Sequence, residues 1–200
     1  MRHDKDLRYY PSSMRHDLFS TPVWHLEGTP QELVDELYKG AHRFKKKHPS
    51  NQKTNYGGYQ SPVFEWEEFQ PQGIEYITNT LKKTFAKEDS TGAPLRVVTL
   101  PPICDFKVLN WWYNINGQGH WNTPHTHPSS DFALVLYLAD SDGLLTFLNP
   151  CAQRSISQQN SSINAKKGDI VLFPADLVHY VLPNPREEDR ISISMNLQLS

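Results

Sequence analysis

Three histidines have the type and spacing to do chemistry. His125 and His127 lie two apart in Gly119-His120-Trp121-Asn122-Thr123-Pro124-His125-Thr126-His127-Pro128, and His179 ends an apolar run that begins at Gly168-Asp169-Ile170-Val171-Leu172-Phe173-Pro174. On an extended chain, residues two apart share a face, so both rings of the His-x-His pair can reach one point. Neutral imidazoles that converge suit Zn, Fe, Cu or Ni better than Mg or Ca. Three protein ligands with positions left open make a catalytic rather than a structural metal site. His125, His127 and His179 are therefore the expected metal ligands and catalytic residues. His25 and His120 have no such company and read as structural or surface histidines.

Arg190 opens the segment Arg190-Ile191-Ser192-Ile193-Ser194-Met195-Asn196. As a strand, this puts Arg190, Ser192, Ser194 and Asn196 on one face and Ile191, Ile193 and Met195 on the other. A polar face beside a metal is either the solvent side of an edge strand or the lining of a cavity; in a cavity the guanidinium fork suits a carboxylate and the Ser192 hydroxyl adds a hydrogen bond. Trp112, Asn114 and Trp121 are candidates for the cavity wall, and Tyr137 could reach a bound co-substrate if its ring faces inward. Asp131 is expected to cap the turn before the next strand rather than to join the metal.

These residues need a scaffold, and the second half of the chain has the pattern of one. Short β-branched and aromatic runs at Leu95–Leu100, Phe106–Ile115, Ala133–Leu138, Leu144–Leu148, Ser162–Asn164, Ile170–Phe173, Val178–Leu182 and Ile191–Leu199 are separated by turns at Asn116-Gly117, Asp142-Gly143 and Lys167-Gly168. Eight strands so spaced predict a jelly roll or barrel-like sandwich. Two amphipathic helices, about 30–47 and 72–87, should pack outside one sheet; Thr29-Pro30-Gln31-Glu32 has the form of a capping box for the first. Residues 1–17 read as a loose arm and 18–200 as a single domain whose first strand is Leu18–Trp24. The loop from Pro49 to Pro62, with Asn55-Tyr56-Gly57-Gly58-Tyr59-Gln60-Ser61, is either a turn or a lid over the site.

Composition limits the function classes. A formal charge of -2 on 200 residues gives none of the basic surface that nucleic-acid binding needs. The basic run at Arg43–Lys47 reads as the solvated end of a helix. Cys104 and Cys151 are too few for a cysteine-based zinc site and are expected to be reduced. With neither an apolar leader nor a membrane-length segment, the expected location is cytoplasmic. Leu18–Trp24 could pair across a homodimer.

The segments Leu18–Trp24, Trp112–Asn116, Pro124–Pro128, Leu136–Leu138, Gly168–His179 and Arg190–Ser192 together resemble the Fe(II)/2-oxoglutarate-dependent oxygenases of bacteria and T4-like cyanophages. The resemblance implies a mainly β, double-stranded β-helix (jelly roll, cupin-like) and a dioxygenase, most simply a hydroxylase, that uses Fe(II), 2-oxoglutarate and O2. It implies His125 and His179 as iron ligands and Arg190 with Ser192 as the anchor of the distal 2-oxoglutarate carboxylate. His127 stands where the wider superfamily has a carboxylate. If phage-encoded, the protein would work in the host cytoplasm. The substrate stays open among a protein residue, a nucleotide base and a small metabolite. Gly119 to Asp131 and Gly168 to His179 also resemble the two cupin motifs, so a cupin-type metal enzyme is the first rival. A three-histidine zinc hydratase or hydrolase is the second, and a non-catalytic β-sandwich binding module the third. Arg190 and Ser192 discriminate, because only the 2-oxoglutarate reading requires them.

Overall fold

The run Phe132-Ala133-Leu134-Val135-Leu136-Tyr137 is apolar at every position, and every one of its side chains is buried. A strand can bury both faces only when each is covered by another layer. Here Leu134 and Leu136 join one core cluster with residues of two helices, while Ala133, Val135 and Tyr137 join a second cluster with residues of a facing sheet.

The computed structural model describes residues 21–90, 106–140, 142, 144–150 and 160–199. In chain order the elements are β1 (Trp24–Leu26), α1 (Gln31–Lys47), β2 (Asn55–Tyr56), β3 (Tyr59–Gln60), β4 (Phe64–Glu65), a 3-10 turn (Trp66–Glu68), α2 (Pro71–Ser90), β5 (Phe106–Asn116), β6 (Trp121–His125), β7 (Phe132–Tyr137), β8 (Leu145–Leu148), β9 (Asn160–Ile163), β10 (Ile170–Pro174), β11 (His179–Val181) and β12 (Arg190–Leu199). The larger sheet runs β1-β10-β7-β12-β5-β3, with β4 also on β5, and the smaller runs β2-β6-β11-β8-β9. All the pairings are antiparallel. Two facing sheets with helices on the outside of the larger one form the expected double-stranded β-helix.

The helices hold the larger sheet from behind. Leu33, Val34, Leu37 and Ala41 of α1 and Ile77 and Leu81 of α2 bury against Trp111, Tyr113, Ile115, Ile191, Ile193 and Met195. Each fully buried side chain of this size contributes roughly 1.5–3 kcal/mol. Lys45, Lys46 and Lys47 fall in the last turn of α1, where cations are favoured by the helix dipole. The turn at Lys167-Gly168 forms as expected, with Gly168 at φ +89°.

Several local expectations need correction. No side-chain cap forms at α1; Pro30 is the N-cap residue, and the Thr29 hydroxyl accepts from Tyr76 Oη (3.4 Å) instead. A capping box does occur, at Glu65 and Glu68 of the 3-10 turn. The stretch from Pro49 to Pro62 is neither a plain turn nor a free lid, because β2 adds to the smaller sheet and β3 to the larger. The first described strand is Trp24–Leu26, following Leu18–Trp24, of which 18–20 lie outside the described residues. Leu95–Leu100, the arm 1–17, Gly143, Cys104 and Cys151 also lie outside them. Strand β6 was not expected, because Asn122, Thr123 and Pro124 have little strand character and are recruited by their neighbours on both sides.

No helix among the described residues is long and apolar enough to cross a membrane.

Candidate metal centre

Pairing of β6 with β11 sets His125 directly opposite His179. The register slips just beyond this pair, between His179 and Val181, so the bulge lies beside the two rings. The expectation that His125 and His127 share one extended strand needs correction, because β6 ends at His125. His127 stands at the start of the following turn, its N–H donating to the Ala175 carbonyl (2.8 Å) at the end of β10. The three rings nevertheless converge, with one nitrogen of each within 4.8 Å of the others. His127 and His179 are nearly parallel, 5.1 Å apart and 12° in tilt.

The hydrogen bonds show which nitrogens face inward. His125 Nδ1 lies 2.7 Å from the Thr123 carbonyl, His179 Nδ1 2.9 Å from the Leu177 carbonyl, and His127 Nδ1 2.7 Å from Asn196 Oδ1. Each of those oxygens only accepts, so each Nδ1 carries the proton and each Nε2 presents a lone pair. His127 Nε2 and His179 Nε2 are 3.2 Å apart. Two lone pairs at that distance repel unless a cation sits against both, and outward Nδ1–H bonds of this kind are how metal-binding histidines are held. The donor set fits a transition metal. Burial lowers the affinity of all three rings for protons, to about 4 for His127 and about 3 for His179, and in the same direction for His125. They are neutral at physiological pH, as metal ligands must be.

The triad opens onto a cleft between the two sheets. Arg190, Ser192, Tyr137 and Asn114 line it, as expected, and Trp112 also lines it while stacking on His127 (5.7 Å, 25°). Trp121 does not. It packs against Tyr56 of β2, centroids 5.7 Å apart. Among the described residues, the cleft lining contains no carboxylate. Asp131 is tied elsewhere, its Oδ2 accepting from the Leu199 N–H (2.8 Å). His25 pairs with Asp169 (2.8 Å) and His120 Nδ1 accepts from the Gly117 N–H (3.0 Å), so both are structural.

Arg190 is 4% exposed. It donates to the Leu182 carbonyl (2.9 Å) and more distantly to the His120 carbonyl (3.5 Å). The Asn116 amide is satisfied when its oxygen accepts from Arg190 Nη2 (2.6 Å) and its nitrogen faces Asn55. Among the described residues no carboxylate lies within ion-pairing distance of Arg190. Burial lowers its proton affinity to about 10, which leaves it charged at neutral pH. Burial also pushes the Tyr137 hydroxyl well above the usual phenol range, so it remains a donor. Asn114 Nδ2 donates to Ser194 Oγ (3.1 Å), while its Oδ1 is buried without a partner.

Sequence reasoning missed Asn110, Asn116 and Asn122 as members of this neighbourhood. Asn196 was visible on the polar face of β12, but its partner was not, because nothing local in a sequence marks a contact across 69 positions.

Residues 110–196 match the family described as "Putative 2OG-Fe(II) oxygenase". No curated protein matches the chain in sequence. Among solved structures, the fold is similar to a Pseudomonas putida prolyl-4-hydroxylase, at 15% identity and a TM-score of 0.61 over 90% of this chain and 93% of that one. It is similar to the viral collagen prolyl hydroxylase of Paramecium bursaria Chlorella virus-1 in complex with 2OG, at 14% identity and a TM-score of 0.59 over 88% and 94%. It is also similar to HygX of Streptomyces hygroscopicus with nickel and 2-oxoglutarate bound, at 13% identity and a TM-score of 0.58 over 89% and 83%.

Proposed function

We infer that this chain is an Fe(II)- and 2-oxoglutarate-dependent dioxygenase working as a hydroxylase, with His125, His127 and His179 as iron ligands and Arg190 with Ser192 as the co-substrate anchor. The observation that carries this reading is the buried, charged Arg190 with no carboxylate partner among the described residues, facing the same cleft as three neutral imidazoles. A buried charge without a counter-charge costs several kcal/mol, a cost that an anionic ligand removes. A zinc hydrolase or a cupin that ignores 2-oxoglutarate leaves that arginine unexplained.

Iron(II) at this centre supplies the redox chemistry by which O2 and 2-oxoglutarate yield succinate, CO2 and a hydroxylated C–H bond. The protein's residues supply the rest. The Arg190 fork and the Ser192 hydroxyl take the distal carboxylate of the co-substrate and fix its orientation. Tyr137, a donor at all physiological pH, is placed to add a hydrogen bond to the same anion. Val135, Leu145 and Val181 give the cleft a dry wall, which keeps competing water from the reacting groups. The partnerless Asn114 Oδ1 is the acceptor left for an N–H or O–H of a bound molecule. The prolyl hydroxylases among the structural neighbours make a protein side chain the first substrate class to try. A bacterial or phage origin, suggested by the motif resemblance, would put the reaction in a cytoplasm.

The test is an anaerobic titration of metal-free protein with Fe(II) and 2-oxoglutarate, following the visible metal-to-ligand charge-transfer band. Wild type should develop the band, His179→Ala should not, and Arg190→Ala should need far more 2-oxoglutarate. Bound iron with no band at saturating 2-oxoglutarate would overturn the reading.

A further inference from the structure

We propose that Asn196, itself oriented by Asn110, is a positioning residue that fixes His127 in the tautomer able to bind metal. The inference rests on the metal centre proposed above.

Two of the three ligands are oriented by their own backbone. His125 and His179 each direct Nδ1–H to the carbonyl two residues earlier, of Thr123 and Leu177. A carbonyl can only accept, so their tautomer is fixed by chain geometry alone. His127 has no such arrangement. Its Nδ1 meets a side chain from β12, Asn196 Oδ1 at 2.7 Å. A side-chain amide is ambiguous, because turned over it would present N–H instead. It would then donate to the Nδ1 lone pair, move the ring proton to Nε2 and block the atom that faces the other two histidines.

Asn110 sets one orientation in this structure. It lies directly opposite Asn196 in the β5–β12 register, and its Oδ1 accepts from Asn196 Nδ2 at 2.9 Å. With the nitrogen so engaged, the oxygen must face His127. The β12 register shifts immediately after Asn196, so the pair sits next to the irregularity in the ladder. Trp112, on the same face of β5 as Asn110, stacks on the His127 ring and limits its rotation. The ligand at the position where the wider superfamily has a carboxylate thus depends on a side-chain relay that the other two ligands do not need.

The experiment measures Co(II) binding to metal-free protein by competition with a chelator dye, together with the cobalt d–d spectrum, for wild type, Asn196→Leu, Asn196→Asp and Asn110→Leu. Activity is not required. Asn196→Leu keeps the branched shape and removes the acceptor, and should weaken Co(II) binding roughly 10- to 100-fold. Asn196→Asp keeps an acceptor and adds charge behind the ring, so it should retain binding and shift the d–d bands. Asn110→Leu should fall between wild type and Asn196→Leu. Melting of the metal-free variants shows whether any loss merely follows destabilisation. Unchanged affinity in Asn196→Leu overturns the proposal. If that variant does not fold, unchanged affinity in Asn110→Leu with an unshifted Asn196→Asp spectrum overturns it equally. A wild type that takes up no Co(II) overturns the metal centre and this inference together, whereas wild-type binding with indifferent variants overturns only the role of Asn196.

Discussion

Arginine and lysine carry the same charge at position 190 but not the same geometry. Charge-assisted hydrogen bonds contribute about 1.5–3 kcal/mol each, so Arg190→Lys should raise the 2-oxoglutarate dissociation constant about 10-fold and Arg190→Ala about 100-fold. Calorimetric titration of the metal-loaded protein reads both. The histidines predict a pH dependence. Burial holds His127 near 4 and His179 near 3 in the fold, against about 6.5 in the unfolded chain. Between those values the unfolded chain binds more protons than the folded one. The metal-free fold therefore has this stability in full above pH 6.5 and loses it as pH falls toward 4, by about 1.4 kcal/mol per pH unit for each histidine inside the window. Melting of metal-free protein should be flat from pH 7 to 8 and drop clearly by pH 5. A melting temperature that does not change over that range would mean that the rings are not held neutral.

At the scale of elements, the β2–β3 connection passes so close to β5 only because Gly58 has no side chain. A Cβ there would lie 2.7 Å from the Ile115 carbonyl and closer still to Asn55 and Asn116. Because Asn116 also accepts from Arg190, Gly58→Ala should both destabilise the fold, by roughly 1–3 kcal/mol, and weaken 2-oxoglutarate binding. Denaturant unfolding and a binding titration of the same variant check the two halves. This segment also marks how far the sequence could be read. Strands such as β7, β10 and β12 announce themselves through β-branched and apolar runs, and the histidine spacing with Arg190 pointed to one site. The two-residue strands β2, β3 and β4 have no periodicity to detect, and exist because the edges of two larger sheets offer them hydrogen bonds. The capping box assigned to Thr29 failed for a related reason: tertiary neighbours claimed the residue, with its N–H donating to Gly168 and its hydroxyl accepting from Tyr76.

For the whole molecule, a metal ion at this centre would tie the end of β6 and the turn after it to the start of β11, which is distant in sequence. A metal ion at 100 times its dissociation constant should stabilise the fold by about 2.7 kcal/mol, so chelator treatment should lower the melting temperature of purified holo-protein and added Fe(II) or Ni(II) should restore it. An unchanged melting temperature on chelation would show that no such ion contributes to the fold. Among the described residues the cleft lining has no carboxylate, which has a wider consequence. A metal ion there would be held by neutral donors next to a cationic arginine, and a dianionic co-substrate would offset most of that positive charge. Each ligand then becomes a condition for the other's tight binding, and the coupling must be reciprocal. Metal affinity measured with and without 2-oxoglutarate should differ by the same factor as 2-oxoglutarate affinity measured with and without metal. Loss of the co-substrate should then weaken the hold on the metal by that same factor, so the two occupancies would rise and fall together.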